Sequence, residues 1–160
     1  MERKTVRSYV VDASVAVKWF VDEDGSDKAR RLRDNFLVGR VDLIAPDLLR
    51  YEVASAFRYH PVARTNASTV AGAIEAIENY QILINPTREA WSKAVQLCFE
   101  SKISPYDAIY IGLSQALKLP LVTADERLIN SLNAEQSKRV KSIAALTEDF
   151  ESQPTGNETA

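Results

Sequence analysis

The sequence is poor in the side chains that support several common chemistries. It contains one histidine, His60, and one cysteine, Cys98, among 160 residues. An intramolecular disulfide is therefore excluded, and a site built on a histidine base or on several histidine or thiolate ligands lacks the residues that it needs. Any hydrolytic or metal-dependent chemistry in this chain falls to its carboxylates.

The sequence also lacks an excess of charge of one sign and a long apolar segment. The formal net charge is -2, which disfavours a strongly basic, nonspecific nucleic-acid binder. Asp12 interrupts the apolar run that follows the N-terminal basic residues, so we expect no signal peptide. No later run is long enough to span a bilayer. We therefore expect a cytoplasmic protein without membrane contact.

Hydrophobic residues make up 46% of the chain, enough for one well-buried core in a chain too short for two full domains. We predict a single domain over residues 1–150 and a disordered polar tail over residues 151–160. Short apolar runs alternate with segments of helical periodicity. This alternation predicts an α/β fold, a three-layer α/β/α sandwich with a central parallel sheet of short strands.

The pattern also places the individual elements. Strands are predicted at residues 9–11, 42–45, 81–85, 121–124 and 140–143. Helices are predicted at residues 14–20, 26–36, 46–57, 68–79, 87–101 and 104–118, with a short one after residue 125. In this scheme Ser14 caps the first helix, and Pro46 with Asp47 begins the third.

Four acids occupy positions that such a fold brings together. Asp12 and Asp125 each follow a predicted strand directly. Asp107 lies in the first turn of the helix that begins at Ser104, and Glu52 lies on the third helix. Ligands of open parallel sheets bind in the crevice at the carboxyl ends of the strands. We therefore expect these carboxylates to face one crevice.

Each acid also has a structural interpretation. Asp12 and Asp125 are placed to cap helices, and Ser104 with Asp107 matches the capping box. Glu52 is harder to explain in this way, because its neighbours at three and four positions are apolar or small and include no basic partner.

Carboxylates that converge repel one another and take up protons unless a cation lies between them. Oxygen ligands without histidine or thiolate favour Mg²⁺ or Mn²⁺. Such a site can activate water and shield the charge of a phosphodiester. A phosphoaspartate-forming hydrolase is disfavoured, because the expected Asp-x-Asp pair is replaced by Asp12-Ala13-Ser14 after the first strand.

Three segments, residues 9–20, 46–57 and 104–128, resemble the signature blocks of PIN-domain ribonucleases, particularly the VapC toxins of toxin–antitoxin pairs. Their order and spacing are similar to that family over residues 8–143. The resemblance implies a Mg²⁺- or Mn²⁺-dependent endoribonuclease that hydrolyses RNA. It also implies a homodimer that a cognate antitoxin inhibits.

The resemblance further implies the site residues. The catalytic and metal-binding acids would be Asp12, Glu52, Asp107 and Asp125. Two hydroxyls would support them, Ser14 beside the metal's water shell and Thr123. Many relatives carry one more acid where this chain has Arg127.

Two other interpretations stay open. One is an RNA-processing PIN nuclease without an antitoxin, and the other is a catalytically silent PIN-like module that binds protein or RNA. Because an acidic site needs nearby cations to hold RNA, we also expect phosphate contacts from some of five arginines. These are Arg30, Arg31, Arg50, Arg58 and Arg64.

Overall fold

The computed structural model of the protein describes residues 6–147, so the predicted tail at 151–160 lies outside the described residues. The strands are β1 (Arg7–Val11), β2 (Val41–Pro46), β3 (Leu83–Ile84), β4 (Leu121–Thr123) and β5 (Val140–Ser142). The helices are α1 (Ala13–Val17), α2 (Ser26–Leu37), α3 (Leu49–Arg58), α4 (Ala67–Tyr80), α5 (Arg88–Ser101), α6 (Pro105–Leu117) and α7 (Glu126–Ser131), followed by a 3₁₀ helix at Ile143–Ala145.

The five strands form one parallel sheet in the order β3-β2-β1-β4-β5. Successive side chains on a strand point to opposite faces, and Val10 and Val11 of the central strand are both fully buried. Helices therefore cover both faces of the sheet, as parallel sheets require. The predicted α/β/α sandwich is confirmed. Within residues 6–147, no helix is both long enough and apolar enough to cross a membrane.

The sheet order places the first strand at the centre of the molecule. β1 pairs with β2 on one side, through Arg7 and Val41 onward, and with β4 on the other, through Val11 and Val122. The topological switch point lies between β1 and β4, because β2 and β3 follow on one side of β1 and β4 and β5 on the other. The crevice outside the carboxyl ends of these two strands is the expected ligand position in such a sheet.

Two predicted helix starts are wrong. Ser14 does not cap α1; the cap is Asp12, whose side chain accepts a hydrogen bond from the Val15 amide. Pro46 does not begin α3, because it is the last residue of β2, and the amide of Asp47 donates to the Ile84 carbonyl at 2.9 Å. Pairing with β3 thus carries β2 one residue past its predicted end, and α3 begins at Leu49.

Helix α6 lies directly on α5, and a glycine makes the close approach possible. A Cβ atom at Gly112 would lie 2.4 Å from the Ala90 carbonyl oxygen and 2.9 Å from the Ala94 amide nitrogen. No larger side chain fits there without moving backbone. This contact fixes how α6 sits on the sheet, and with it the first turn that carries Asp107.

Candidate active site

Asp12 lies at the carboxyl end of β1 and is only 6% exposed. Its Oδ1 accepts hydrogen bonds from the Ser14 hydroxyl at 2.5 Å and from the Val15 amide at 3.3 Å. Its Oδ2 accepts a hydrogen bond from the Thr123 hydroxyl, at the end of β4. Three donors from two neighbouring elements therefore fix the orientation of this carboxylate.

The two hydroxyls also tie β1 to β4. Ser14 Oγ accepts a hydrogen bond from the Ala124 amide at 2.8 Å, and Thr123 Oγ1 accepts one from the Asp125 amide at 3.1 Å. The two hydroxyl oxygens lie 3.3 Å apart. Ser14 and Thr123 are thus placed beside Asp12, and they hold the segment that carries Asp125 against it.

Asp125 caps α7, and Asp107 lies beside the cap of α6. Asp125 Oδ1 accepts from the Leu128 amide at 3.2 Å, at the start of α7. Ser104 caps α6, because its Oγ accepts from the Asp107 amide at 3.2 Å, and Asp107 Oδ2 accepts from the Ser104 hydroxyl at 3.2 Å. The capping interpretation of Asp125 holds, whereas at α6 the cap is Ser104 and the Asp107 carboxylate bonds only its hydroxyl. Within residues 6–147 the second oxygen of each carboxylate makes no hydrogen bond.

Glu52, in the first turn of α3, has no such partner. Its Oε1 atom is buried without a hydrogen bond, and so is the hydroxyl of Tyr110 on α6, which faces it. Sequence reasoning singled out Glu52 but missed Tyr110 as part of this cluster. The available signal was its spacing, since Tyr110 lies three residues after Asp107 and hence on the same side of α6.

The acids raise one another's pKa values. Burial raises the pKa of Asp12 to about 6, against the hydrogen bonds from Ser14 and Thr123, and the charge of Asp125 adds to the increase. Burial raises the pKa of Glu52 to about 7. The Tyr110 hydroxyl, a hydrogen-bond donor beside it, lowers this pKa, and the charges of Asp107 and Asp12 raise it.

The pKa of Asp107 is raised as well, by burial and then by the charge of Asp125, although its bond with Ser104 acts in the other direction. The Tyr110 phenol responds to the same field. Burial and the charge of Glu52 raise its pKa far above the usual range, so it stays a hydrogen-bond donor. Each of the four acids thus interacts with at least one other.

The donor set fits a hard divalent cation. All four acids supply oxygen, Glu52 Oε1 is a buried acceptor without a donor, and no salt bridge joins any of them to a basic side chain among the described residues. Their spacing is looser than a formed centre, because no three acids, histidines or cysteines in residues 6–147 converge closely enough to hold a metal ion. The carboxylates would have to move closer together for ligation.

A groove of about 1120 Å³ opens beside the acids. Ser14, Glu52 and Ala124 form the end of the groove at the site. From there it runs between α1, α3 and the loop that follows α3, where Arg64 lines it. Asp12, Asp107 and Asp125 do not line the groove, so Glu52 is the one of the four acids that lies in its wall.

Solved structures with the same fold come from several sources. The crystal structure of PAE2754 from Pyrobaculum aerophilum is 18% identical, covers 88% of this chain and 86% of that chain, and has a TM-score of 0.62. A toxin–antitoxin complex from Klebsiella pneumoniae is 16% identical over 84% of this chain and 97% of that chain, with a TM-score of 0.58. FitAB bound to an IR36 DNA fragment is 10% identical over 88% of this chain and 98% of that chain, with a TM-score of 0.63.

At these identities the likenesses concern the fold alone. No curated protein matches the sequence. The family model of the PIN domain matches residues 9–131, which include the four acids and the hydroxyl residues Ser14 and Thr123. PIN domains are generally nucleases and commonly depend on divalent metals. Because the match covers most of the sequence, the chain belongs to the PIN domain family.

Proposed function

We propose that the protein is a Mg²⁺- or Mn²⁺-dependent endoribonuclease that acts in the cytoplasm as the toxin of a toxin–antitoxin pair. The observation that carries the proposal is the electrostatic coupling of the four acids, without a basic side chain bonded to any of them among the described residues. Asp125 acts on Asp12 and on Asp107, and these two act on Glu52. Membership of a family whose domains are generally nucleases supports the same conclusion.

In this proposal the four acids hold the cation. A bound divalent ion activates water and shields the charge of the phosphodiester, whose phosphorus–oxygen bond to the leaving group is broken by hydrolysis. The chain's own residues prepare the acids for this task. Ser14 and Thr123 hold the Asp12 carboxylate in one orientation. Ligation requires both carboxylates to be ionised. Because the pKa of Asp12 is raised to about 6 and that of Glu52 to about 7, cation binding strengthens as pH rises through this range.

The groove beside the acids supplies the path for RNA. Arg64 lines it and forms no salt bridge within residues 6–147. Arg30 and Arg50, by contrast, pair with Asp22 and Glu78. Of the arginines expected to contact phosphates, Arg64 is therefore the best placed.

The proposed protein partners are a second copy of the chain and an antitoxin. The similar Klebsiella structure is a toxin–antitoxin complex, which supports a protein inhibitor. Trp91, Val95 and Phe99 form an exposed apolar stripe along α5, 45%, 50% and 85% exposed. A stripe of this kind is suited to an interface between copies. A PIN nuclease without an antitoxin would share the site and the cleavage, and would be recognised by the lack of an inhibitor gene beside its own.

A catalytically silent PIN-like binding module is the second candidate. The observation in its favour is that no three potential ligands in residues 6–147 converge on one point. Such a module would bind RNA or protein through the groove and leave RNA intact.

RNA cleavage distinguishes the candidates. We expect the purified wild type to cleave single-stranded RNA in millimolar Mg²⁺ or Mn²⁺ and to stop when a chelator is added. Sequencing the RNA ends produced by the wild type and by an Asp12→Asn variant would identify the target sites. Intact RNA at every metal concentration, from protein that is folded and binds RNA, would favour the silent module.

A further inference from the structure

Tyr110 and Glu52 form a pair of buried polar groups that lack partners. Tyr110 is 2% exposed, yet its hydroxyl makes no hydrogen bond within the described residues, and neither does Glu52 Oε1. A buried tyrosine hydroxyl normally finds a hydrogen-bond partner. A buried polar group without a partner lowers the free energy of unfolding by roughly 1–3 kcal/mol. Two such groups side by side therefore call for an explanation.

The surroundings of Tyr110 identify its partner. The phenol interacts most strongly with Glu52, and after it with Asp12 and Asp107. Ionised carboxylates only accept hydrogen bonds, whereas a phenol donates one. The rest of the Tyr110 ring lies in the hydrophobic core, so the side chain cannot swing away to another acceptor.

We infer that Tyr110 is a positioning residue of the acidic site, whose hydroxyl donates a hydrogen bond to Glu52 and holds that carboxylate in the orientation needed to ligate a cation. Metal-ligating carboxylates are themselves commonly held by such donors, and the loss of one typically lowers metal affinity or activity by about 10–100-fold. The inference rests on the proposed metal site, to which it adds a residue outside the four acids.

Tyr110→Phe tests the inference, because it removes the hydroxyl and keeps the ring. We expect the variant to melt in chelator close to the wild-type temperature, since the ring that packs in the core is kept. We expect its Mn²⁺ affinity, measured by titration calorimetry, and its cleavage rate at limiting Mn²⁺ to fall roughly 10–100-fold. Excess Mn²⁺ should restore part of the rate.

Two further variants show whether the hydroxyl acts through Glu52. Tyr80→Phe removes a hydroxyl from a half-buried tyrosine on α4, which packs on Trp19 and Phe36, and should leave Mn²⁺ binding unchanged. In a Glu52→Ala background, which removes the acceptor, Tyr110→Phe should have no further effect on Mn²⁺ affinity.

Three outcomes would overturn the inference. The first is Mn²⁺ affinity and cleavage in Tyr110→Phe equal to those of the wild type. The second is a lower melting temperature in chelator with unchanged Mn²⁺ affinity, which would make the hydroxyl structural. In the third the wild type itself binds no Mn²⁺, and the proposed metal site fails together with the inference. The first two leave the proposed function intact.

Discussion

Asp107 combines two tasks in one side chain. One carboxylate oxygen accepts a hydrogen bond from Ser104, the residue that caps α6, while the charge of Asp107 adds to the raised pKa of Glu52. Asp125 caps α7, and its charge adds to the raised pKa values of Asp12 and Asp107. An acid at a helix start stabilises the folded protein, whereas an ionised acid in a crowded, half-buried cluster destabilises it through repulsion between like charges. The balance between these effects can be measured.

Asp107→Asn separates the two tasks when it is compared with Ser104→Ala. The asparagine keeps an acceptor for Ser104 and removes a like charge, so we expect the variant in chelator to be as stable as the wild type or more stable. RNA cleavage in Mg²⁺ should fall by more than about 100-fold, which exceeds the loss expected for a residue that only bonds to a metal ligand.

Ser104→Ala should show a different pattern. It removes the cap of α6, at a cost of about 1 kcal/mol in the free energy of unfolding. Because Ser104 also donates to Asp107, cleavage by the folded fraction should fall as well, but by no more than about 10–100-fold, less than in Asp107→Asn. Thermal melts and cleavage time courses at matched folded concentration provide both values. Retained cleavage in Asp107→Asn, together with a lowered melting temperature, would assign Asp107 to capping alone.

The raised pKa values of Asp12 and Glu52 predict a pH-dependent stability. The usual pKa values are 3.8 for Asp and 4.5 for Glu, whereas the folded protein raises them to about 6 and about 7. Between these limits the folded protein binds protons that the unfolded chain has released. The free energy of unfolding in chelator should therefore fall as pH rises from about 4 to about 7.

Urea unfolding in chelator at several pH values between about 4 and 7 measures the slope of the free energy of unfolding against pH. Glu52→Gln should flatten it, whereas Glu75→Gln, at an exposed position on α4, should leave it as in the wild type. Because ligation keeps both carboxylates ionised, saturating Mg²⁺ should also reduce the slope. An unchanged slope in Glu52→Gln would show that Glu52 does not titrate as its burial predicts.

Sequence reasoning reached most of these side chains but not all of them. Glu52 was recognisable because its helical neighbours are apolar or small, and a glutamate that is only solvated would usually lie on another face of the helix. Tyr110 was not, because an aromatic residue at helical spacing usually fills a core, as its ring does here. Only the structure shows that its hydroxyl lies beside Glu52 without a partner.

At the scale of the elements, periodicity and capping residues predicted every helix and strand from β1 to β5 that the structure describes. The errors lie at element ends. Ser14 sits inside α1, because the Asp12 carboxylate accepts from the Val15 amide and is the cap, which was the other capping residue that the sequence offered. The Asp47 amide donates to the Ile84 carbonyl after β2 ends at Pro46, so α3 begins only at Leu49. Asp47 and Ile84 are far apart in the sequence, and periodicity does not predict such a contact.

The contact between α5 and α6 gives a prediction at the same scale. A methyl group at Gly112 would collide with the Ala90 carbonyl oxygen at 2.4 Å. Gly112→Ala should therefore destabilise the protein by about 1–3 kcal/mol, the range for overpacking. Because α6 carries Asp107 and Tyr110, the cleavage rate of the folded fraction should also fall.

Gly72→Ala is the matched control. Gly72 lies inside α4, and a Cβ atom there meets nothing within 4 Å. Alanine is favoured over glycine in a helix by about 1 kcal/mol, so this variant should be more stable than the wild type. Chemical denaturation of both variants checks the pair. Equal stabilisation by the two substitutions would mean that α5 and α6 do not approach as closely as described.

At the scale of the whole molecule, the groove should bind RNA through Arg64. In an inactive Asp12→Asn background, Arg64→Gln should weaken RNA binding and reduce the slope of log affinity against log salt by about 1. Arg31→Gln, on the exposed surface of α2 and outside the groove, should change neither. Fluorescence anisotropy at several salt concentrations measures both values. Equal effects from the two variants would argue against the groove as the RNA path.

The central claim is that acids from separate elements form one cation site, and a thermal melt tests it most directly. A cation that binds the folded state and not the unfolded chain raises the melting temperature as its concentration rises. The double variant Asp12→Asn, Asp125→Asn removes the charges of the two acids that follow β1 and β4. We predict that millimolar Mg²⁺ or Mn²⁺ raises the melting temperature of the wild type well above its value in chelator and has little effect on the double variant. Equal shifts in the two proteins would contradict the claim.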